Sequence, residues 1–136
     1  MSARSKARKR ALDLLYASEL RRESPTGALD RAIAEGEGPT NDYTSELVRG
    51  VVEHQWRIDK LLTTYAQGWS LERMPAVDRN VLRLGVWELL YADDVPDAVA
   101  VSEAMNLVRE LSTDDSPSFV NGVLGGIVRD KETLTA

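Results

Sequence analysis

The sequence predicts an all-α protein, a compact bundle of about seven helices. Apolar residues recur with the 3.6-residue period of a helix along nearly the whole chain, and no alternating strand pattern of useful length occurs. Hydrophobic residues make up 43% of the composition, which is enough for a buried core. Because 136 residues are the usual length of one domain, a single domain over 1–136 is expected.

The first part of the chain has the spacing of three helices. The apolar stripe of the first helix consists of Leu12, Leu15, Tyr16 and Leu20. A short second helix is expected over 26–35, and the Gly- and Pro-containing stretch 36–39 then breaks the chain. Asn41 or Asp42 can cap the next helix, because a short side-chain oxygen accepts from the open amides of a first turn.

The rest of the chain is also helical in pattern. The spacing over 47–65 fits one long helix or two. Segment 77–91 is apolar nearly all round, which is typical of a buried central helix. Gly85 within it costs about 1 kcal/mol relative to alanine, so close approach of another helix is expected there. Ser116 and Pro117 have the pattern of a cap followed by proline at the first helical position. The polar C-terminal tail is expected to fray.

Composition excludes several classes of site. The absence of cysteine excludes disulfides, thiolate metal sites and cysteine nucleophiles. A single histidine, His54, leaves little for a metal site or a Ser-His-Asp triad, so neither metal nor cofactor is expected. No apolar run approaches the roughly 18–20 residues of a membrane span, and no signal peptide is visible. A cytoplasmic protein without membrane association is therefore predicted.

The net charge of −5 is unevenly distributed. Residues 1–10 contain no acidic side chain and five basic ones, namely Arg4, Lys6, Arg8, Lys9 and Arg10. The remainder has 12 basic against 22 acidic side chains, a balance of −10. A flexible basic arm on an acidic body indicates a local anionic target. A solvated, frayed terminus without function is the alternative.

Several segments, in order, resemble the NusB family. They are residues 10–16, 47–51, 58–59, 78–84, 88–91, 95–96, 102–104 and 116, and Phe-Val-Asn-Gly-Val-Leu at 119–124. Each segment alone is weak evidence for the family, but the ordered set is specific and spans almost the whole chain. Two positions depart from the family pattern: Ser102 stands where asparagine is frequent, and Gly125 stands where aspartate commonly follows the Val-Leu pair.

The resemblance implies two small helical bundles packed as one domain, and a non-catalytic transcription antitermination factor. Such a factor binds boxA-type single-stranded RNA of ribosomal RNA transcripts together with the ribosomal protein NusE. With other Nus factors it helps RNA polymerase resist termination. A protein–protein adaptor without RNA affinity is the alternative. A homodimer that covers the RNA-binding surface is a further hypothesis.

An enzyme is not expected. NusB-like domains also occur in ribosomal RNA cytosine methyltransferases, but these need a catalytic cysteine, which this sequence lacks, and a following cofactor-binding domain, which is not expected here.

The candidate RNA contacts lie in two segments. The five basic residues of segment 1–10 are candidates for phosphate contacts, since each neutralised phosphate releases counterions. Tyr16 either contacts RNA or lies at the edge of the core. Phe119 either stacks on a base or packs against the first helix, and the helix start at Ser116 can receive a phosphate. Asp114 and Asp115 would repel RNA and so limit its affinity.

Candidate contacts with the protein partner come from the resemblance alone. It places NusE against the central part of the chain, where exposed carboxylates of Glu72, Asp78 and Glu88 would steer a basic partner. The alternative for Asp78 is a local ion pair with Arg79 or Arg83. The three tryptophans are expected to anchor packing; they are Trp56, Trp69 and Trp87.

Overall fold

The structure, a computed structural model, describes residues 2–136, and these contain eight α-helices and one short 3-10 helix but no strand. The helices are α1 (Ala3–Arg21), α2 (Pro25–Ala34), α3 (Asp42–Glu53), α4 (Gln55–Tyr65), the 3-10 helix Leu71–Arg73, α5 (Ala76–Tyr91), α6 (Asp97–Leu111), α7 (Ser116–Arg129) and α8 (Lys131–Leu134). The all-α prediction is confirmed. The spacing over 47–65 belongs to two helices, divided at His54.

The helices form two compact units, one ending at Glu53 and one beginning at His54. That the two units make one domain stays a prediction. In the first unit, α1 packs against α2 and α3. Asn41 caps α3 as expected, because its Oδ1 accepts from the backbone N–H of Tyr43 at 2.9 Å. The apolar residues that form the core of this unit include Ala11, Leu12, Leu15, Leu29, Leu47, Val48 and Val51.

The basic segment differs from the predicted flexible arm. Residues 3–10 are the first turns of α1, and Ser2 caps them by accepting from the backbone N–H of Ser5 at 3.0 Å. Two side chains at the start of α3 hold these turns: Asn41 Nδ2 donates to the Ala3 carbonyl at 3.3 Å, and Thr44 Oγ1 donates to the Ala7 carbonyl at 3.0 Å. Once the downstream helix is nucleated, each added residue gains a backbone bond, so the helix extends through the charged segment.

The second unit is built around α5, which contacts α4, α6 and α7. The prediction of a buried central helix is confirmed, with Val81, Leu82 and Val86 fully buried. A Cβ at Gly85 would lie 3.1 Å from Leu124 Cδ1 and 3.7 Å from Ala104 Cβ. The glycine therefore permits the close approach of α6 and α7.

The C-terminal tail is helical rather than frayed, because polar contacts hold it to the second unit. Lys131 Nζ donates to Asp97 Oδ1 at 2.6 Å, and Arg57 donates to the Leu134 carbonyl. The four-residue α8 is thus an element that apolar spacing does not reveal. Within residues 2–136, no helix is both long and apolar enough to cross a membrane.

Candidate nucleic-acid interface

The basic residues of α1 lie on two different faces. Arg4 and Arg8, one turn apart, both point to the ring of Tyr43, with guanidinium carbons 4.1 Å and 5.7 Å from its centroid. Cation–π contacts of this kind hold guanidinium groups in fixed positions. Arg8 is only 4% exposed, so it offers little surface to a phosphate. Its predicted role as a phosphate contact is therefore replaced by packing on Tyr43.

Lys6 and Arg10, also one turn apart, lie on the exposed face of the same helix turns. They line a cleft of about 370 Å³ between α1 and the loop over 38–41. Lys9 is half-exposed. Tyr16 retains 37% of its surface, which agrees with a position at the edge of the core and leaves the ring accessible. The first unit thus presents exposed cations from a fixed helix.

The second unit contains an aromatic cleft of about 360 Å³ beside the start of α7. Trp69 and Phe119 form two of its walls, with ring centroids 6.1 Å apart and planes tilted by 58°. Arg73 and Asp115, both exposed, lie at the same cleft. Trp69 is 52% exposed, so the expectation that it anchors packing is wrong. Its position directly after Gly68, where the helical pattern ends, is the signal that could have revealed it.

Asp78 and Ser116 bind each other instead of RNA or a partner. The Asp78 carboxylate is 3% exposed; its Oδ1 accepts from Ser112 Oγ at 2.6 Å and its Oδ2 accepts from Ser116 Oγ at 2.8 Å. A buried carboxylate requires such donors, because desolvation without them is costly. Asp78 therefore cannot steer a partner, and the Ser116 hydroxyl faces the carboxylate rather than an RNA phosphate. Neither predicted ion pair is a contact of this carboxylate: Arg83 binds Asp59, and Arg79 donates to the backbone carbonyls of Leu71 and Met74.

Of the three carboxylates predicted to contact a partner, only Glu72 is exposed. Glu88 is 2% exposed, on the inner face of α5, so the expectation of an exposed carboxylate is wrong for it as well. The position of Glu88 on the helix does not by itself reveal this burial. Helix α5 is apolar on nearly all of its faces and is packed against other helices on most of them, so no one face can be identified as exposed from the sequence.

Trp56 lies on the outer face of α4 and is 78% exposed, so it does not anchor packing either. Lys60 Nζ lies 4.8 Å from the centroid of its ring. Ile58 and Leu62 turn inward on the same helix, which leaves Trp56 on the opposite side. Trp87 is half-buried. His54 stacks on Tyr91 at 3.8 Å between ring centroids.

The groups exposed on these surfaces can form ion pairs and stacking contacts. The first unit presents exposed cations, and the second presents aromatic rings beside a cation. Among residues 2–136, no group of three or more His, Asp or Glu side chains is arranged to hold a metal ion.

Known proteins are similar to this chain over nearly its whole length. The NusB family matches residues 5–129. A transcription antitermination protein NusB from Nocardioides sp. is 78% identical over 134 residues, covering 98% of this chain and 99% of that protein. The NusB protein of Beutenbergia cavernae is 61% identical over 139 residues, covering 95% of this chain and 91% of that protein.

Solved structures share the fold. T. maritima NusB superimposes with a TM-score of 0.85 at 33% identity, covering 99% of both chains. A structure described as antitermination factors NusB and NusE in complex with dsRNA superimposes with a TM-score of 0.79 at 31% identity, covering 93% of this chain and 96% of that chain.

Proposed function

This chain belongs to the NusB family of transcription antitermination proteins, and on that premise we propose that it binds boxA-type single-stranded RNA together with NusE. It acts without catalysis, in the cytoplasm, on ribosomal RNA transcripts. Together with other Nus factors it helps RNA polymerase to resist termination.

The observation that carries RNA binding is the pair of aromatic side chains at the cleft beside α7. A base stacked on an aromatic ring contributes roughly 1–3 kcal/mol, and stacking of this kind requires an unpaired base. Trp69 and Phe119 border a cleft of about 360 Å³, with the Arg73 guanidinium beside them. Single-stranded RNA can contact all three side chains, since it supplies a free base face for the two rings and a phosphate for the guanidinium.

The structural relative with NusE and dsRNA supports RNA and NusE as the partners. Charge supports a basic protein partner as well. From His54 onward the chain has eight Lys and Arg side chains against thirteen Asp and Glu, so the second unit carries the whole net charge of −5. Glu72 is the predicted partner carboxylate that is exposed.

The RNA experiment is fluorescence anisotropy of a labelled boxA-type single strand, with a scrambled strand and a duplex as controls. Each is titrated with the protein alone and with NusE, at two salt concentrations. We expect selective, salt-sensitive binding of the boxA strand in the presence of NusE. Absence of RNA binding with retained NusE binding would replace this function by that of a protein–protein adaptor.

Leucine variants test the aromatic cleft within the same assay. Trp69→Leu and Phe119→Leu should each weaken RNA binding by about 5- to 150-fold, the equivalent of the lost stacking energy. Trp56→Leu is the matched control, because it removes an exposed tryptophan outside this cleft. Equal affinities for all three variants would contradict base stacking at this site.

The contact of Glu72 with NusE is tested by association kinetics. Neutralising an exposed carboxylate that faces a basic partner lowers the association rate, and salt diminishes the effect. Glu72→Gln should therefore slow NusE binding at low salt, whereas Asp93→Asn, an equal charge change at another exposed position, should not. The homodimer hypothesis is tested by sedimentation, and a monomer at every concentration would remove it.

A further inference from the structure

A cleft of about 360 Å³ lies between α1 and α2 in the first unit. Three alanines contribute its apolar lining, Ala17 from α1 and Ala28 and Ala32 from α2. Because these side chains are short, they leave room between the two helices. An alkyl chain placed on them would bury apolar surface on both sides, which favours binding.

Ser18 also lines this cleft and is 1% exposed. Its Oγ has no hydrogen-bond partner among residues 2–136. A serine within a helix can donate to the backbone carbonyl one turn earlier, but the Ser18 hydroxyl does not. Since a buried hydroxyl without a partner is unfavourable, a polar ligand group that reaches Ser18 would gain a hydrogen bond at little cost to the protein.

The charged side chains are unequal at the two ends of the cleft. Toward the start of α1, the carboxylates of Asp13, Glu35 and Glu37 line it together with one guanidinium, that of Arg10. Arg10 Nη2 donates to the backbone carbonyl of Glu37 at 3.5 Å. Among residues 2–136, the carboxylates of Asp13 and Glu37 make no hydrogen bond or ion pair. This end therefore has an excess of negative charge and attracts a cation.

The end near the turn from α1 to α2 has the opposite balance. Its one carboxylate, that of Glu23, accepts from Arg31 with both oxygens at 3.1 Å. Arg21 Nη1 lies 3.9 Å from Glu23 Oε1, and the Arg21 side chain is 69% exposed. Because Arg31 already occupies both oxygens of Glu23, the Arg21 guanidinium is the cation at this end that can bind an anion.

We propose that the cleft between α1 and α2 binds a linear ω-amino carboxylate, with an ammonium at one end and a carboxylate at the other. The ammonium lies between Asp13 and Glu37, and the methylenes lie on the three alanines. The ligand carboxylate accepts from the Ser18 hydroxyl and from Arg21. Asp13 and Ser18 are about 7–8 Å apart along α1, a distance that a chain of five methylenes spans.

Two sources supply this chemistry. Free lysine carries an ε-ammonium and an α-carboxylate at the same separation, and so does a lysine at the carboxyl terminus of a protein. They differ at the α-nitrogen, which is an ammonium in free lysine and an amide in a peptide. Since the α-ammonium would lie beside Arg21, a site for a peptide terminus binds Nα-acetyl-lysine more tightly than lysine, and a site for the free amino acid does not.

The first test is a titration of the ¹⁵N-labelled protein followed by NMR. The probes are 6-aminohexanoate, hexylamine, hexanoate, lysine and Nα-acetyl-lysine. We expect saturable shifts in the amides of α1 and α2, with 6-aminohexanoate bound about 10-fold or more tightly than hexylamine or hexanoate, the equivalent of one hydrogen bond to a charged group. Absence of saturable shifts, or equal affinities for 6-aminohexanoate, hexylamine and hexanoate, overturns the proposal.

The second test addresses the carboxylate end. Ser18→Ala should weaken 6-aminohexanoate binding about 10-fold without lowering the free energy of unfolding, because the hydroxyl has no partner in the protein. Arg21→Gln should weaken binding of 6-aminohexanoate and leave hexylamine binding unchanged. Arg22→Gln is the matched control, since Arg22 is exposed and does not line the cleft. If the Ser18 and Arg21 variants bind as the wild type does, the carboxylate is not held at this end and the proposal fails.

The third test addresses the ammonium end. Glu37→Gln should weaken binding of 6-aminohexanoate and hexylamine by about 1.5- to 5-fold, the range of an exposed ion pair. Glu46→Gln removes an equally exposed carboxylate of the first unit outside the cleft and should have no effect. Equal losses in the two variants would show general charge attraction instead of a site. No RNA or NusE is present in these titrations, so their outcome is independent of the proposed function.

Discussion

Gly126 lies on α7 where an added methyl group would meet the ring of Tyr65. A Cβ at this position would be 2.9 Å from Tyr65 Cδ1 and 3.4 Å from Cε1. The ring is not free to turn away, because the Tyr65 hydroxyl donates to Asp130 Oδ2 at 2.6 Å. Overpacking of this kind costs about 1–3 kcal/mol, whereas alanine in a helix interior gains about 1 kcal/mol over glycine. Gly126→Ala should therefore lower the free energy of unfolding by up to about 2 kcal/mol.

The neighbouring Gly125 is the matched control. It is exposed on the same helix, and a Cβ there would have no atom within 4 Å. Gly125→Ala should raise the free energy of unfolding by about 1 kcal/mol, since only the helix propensity changes. Urea unfolding followed by tryptophan fluorescence measures both variants, because all three tryptophans lie in the second unit with α7. A shifted midpoint with an unchanged m value identifies a change in stability.

For the packing argument to hold, Gly126→Ala must lower the free energy of unfolding and Gly125→Ala must raise it. In a Tyr65→Ala background the ring is absent, so Gly126→Ala should become stabilising by about 1 kcal/mol. If Gly126→Ala stabilises the wild-type protein as much as Gly125→Ala does, the close contact with Tyr65 does not limit this position and the reasoning is refuted.

Three further predictions concern single side chains. Ser18 Oγ is buried without a hydrogen-bond partner among the described residues. Ser18→Ala should therefore leave the free energy of unfolding unchanged or raise it by up to about 1 kcal/mol. A lower free energy of unfolding in urea would contradict this. Asp115 is exposed at the aromatic cleft, so Asp115→Asn should tighten RNA binding, and an unchanged affinity by anisotropy would discard the idea of electrostatic repulsion. The hydrogen bond that the Tyr65 hydroxyl donates to the Asp130 carboxylate raises the pKa of Tyr65 above its ordinary 10.0. This bond therefore contributes its whole stabilisation of the fold below pH 10, and the contribution is lost as the pH rises through the raised pKa. Tyr65→Phe should abolish that loss in urea titrations between pH 8 and 12.

Sequence periodicity was sufficient for the all-α class and for most of the helices, but it did not reveal α8, the helical first turns of α1 or the division at His54. A helix is stabilised by bonds between residues four apart, so its signals are local and can be read from spacing, caps and breakers. The all-round apolar pattern identified α5 as central, and the cost of Gly85 predicted the close approach that Leu124 and Ala104 make. The ordered family segments likewise identified the chain, because they depend on residue order alone.

Only the tertiary structure decided which polar side chains face solvent. Asp78 is buried because Ser112 and Ser116, 34 and 38 residues further along, supply its hydrogen bonds. Arg8 is buried where α1 packs on another helix, with its guanidinium carbon 5.7 Å from the centroid of the Tyr43 ring. Helical spacing places a residue on a face of its own helix and carries no information about the groups that distant segments bring to that face. A charged residue near the start of a helix is therefore an equally good candidate for a binding contact and for a buried, satisfied group until its neighbours are known.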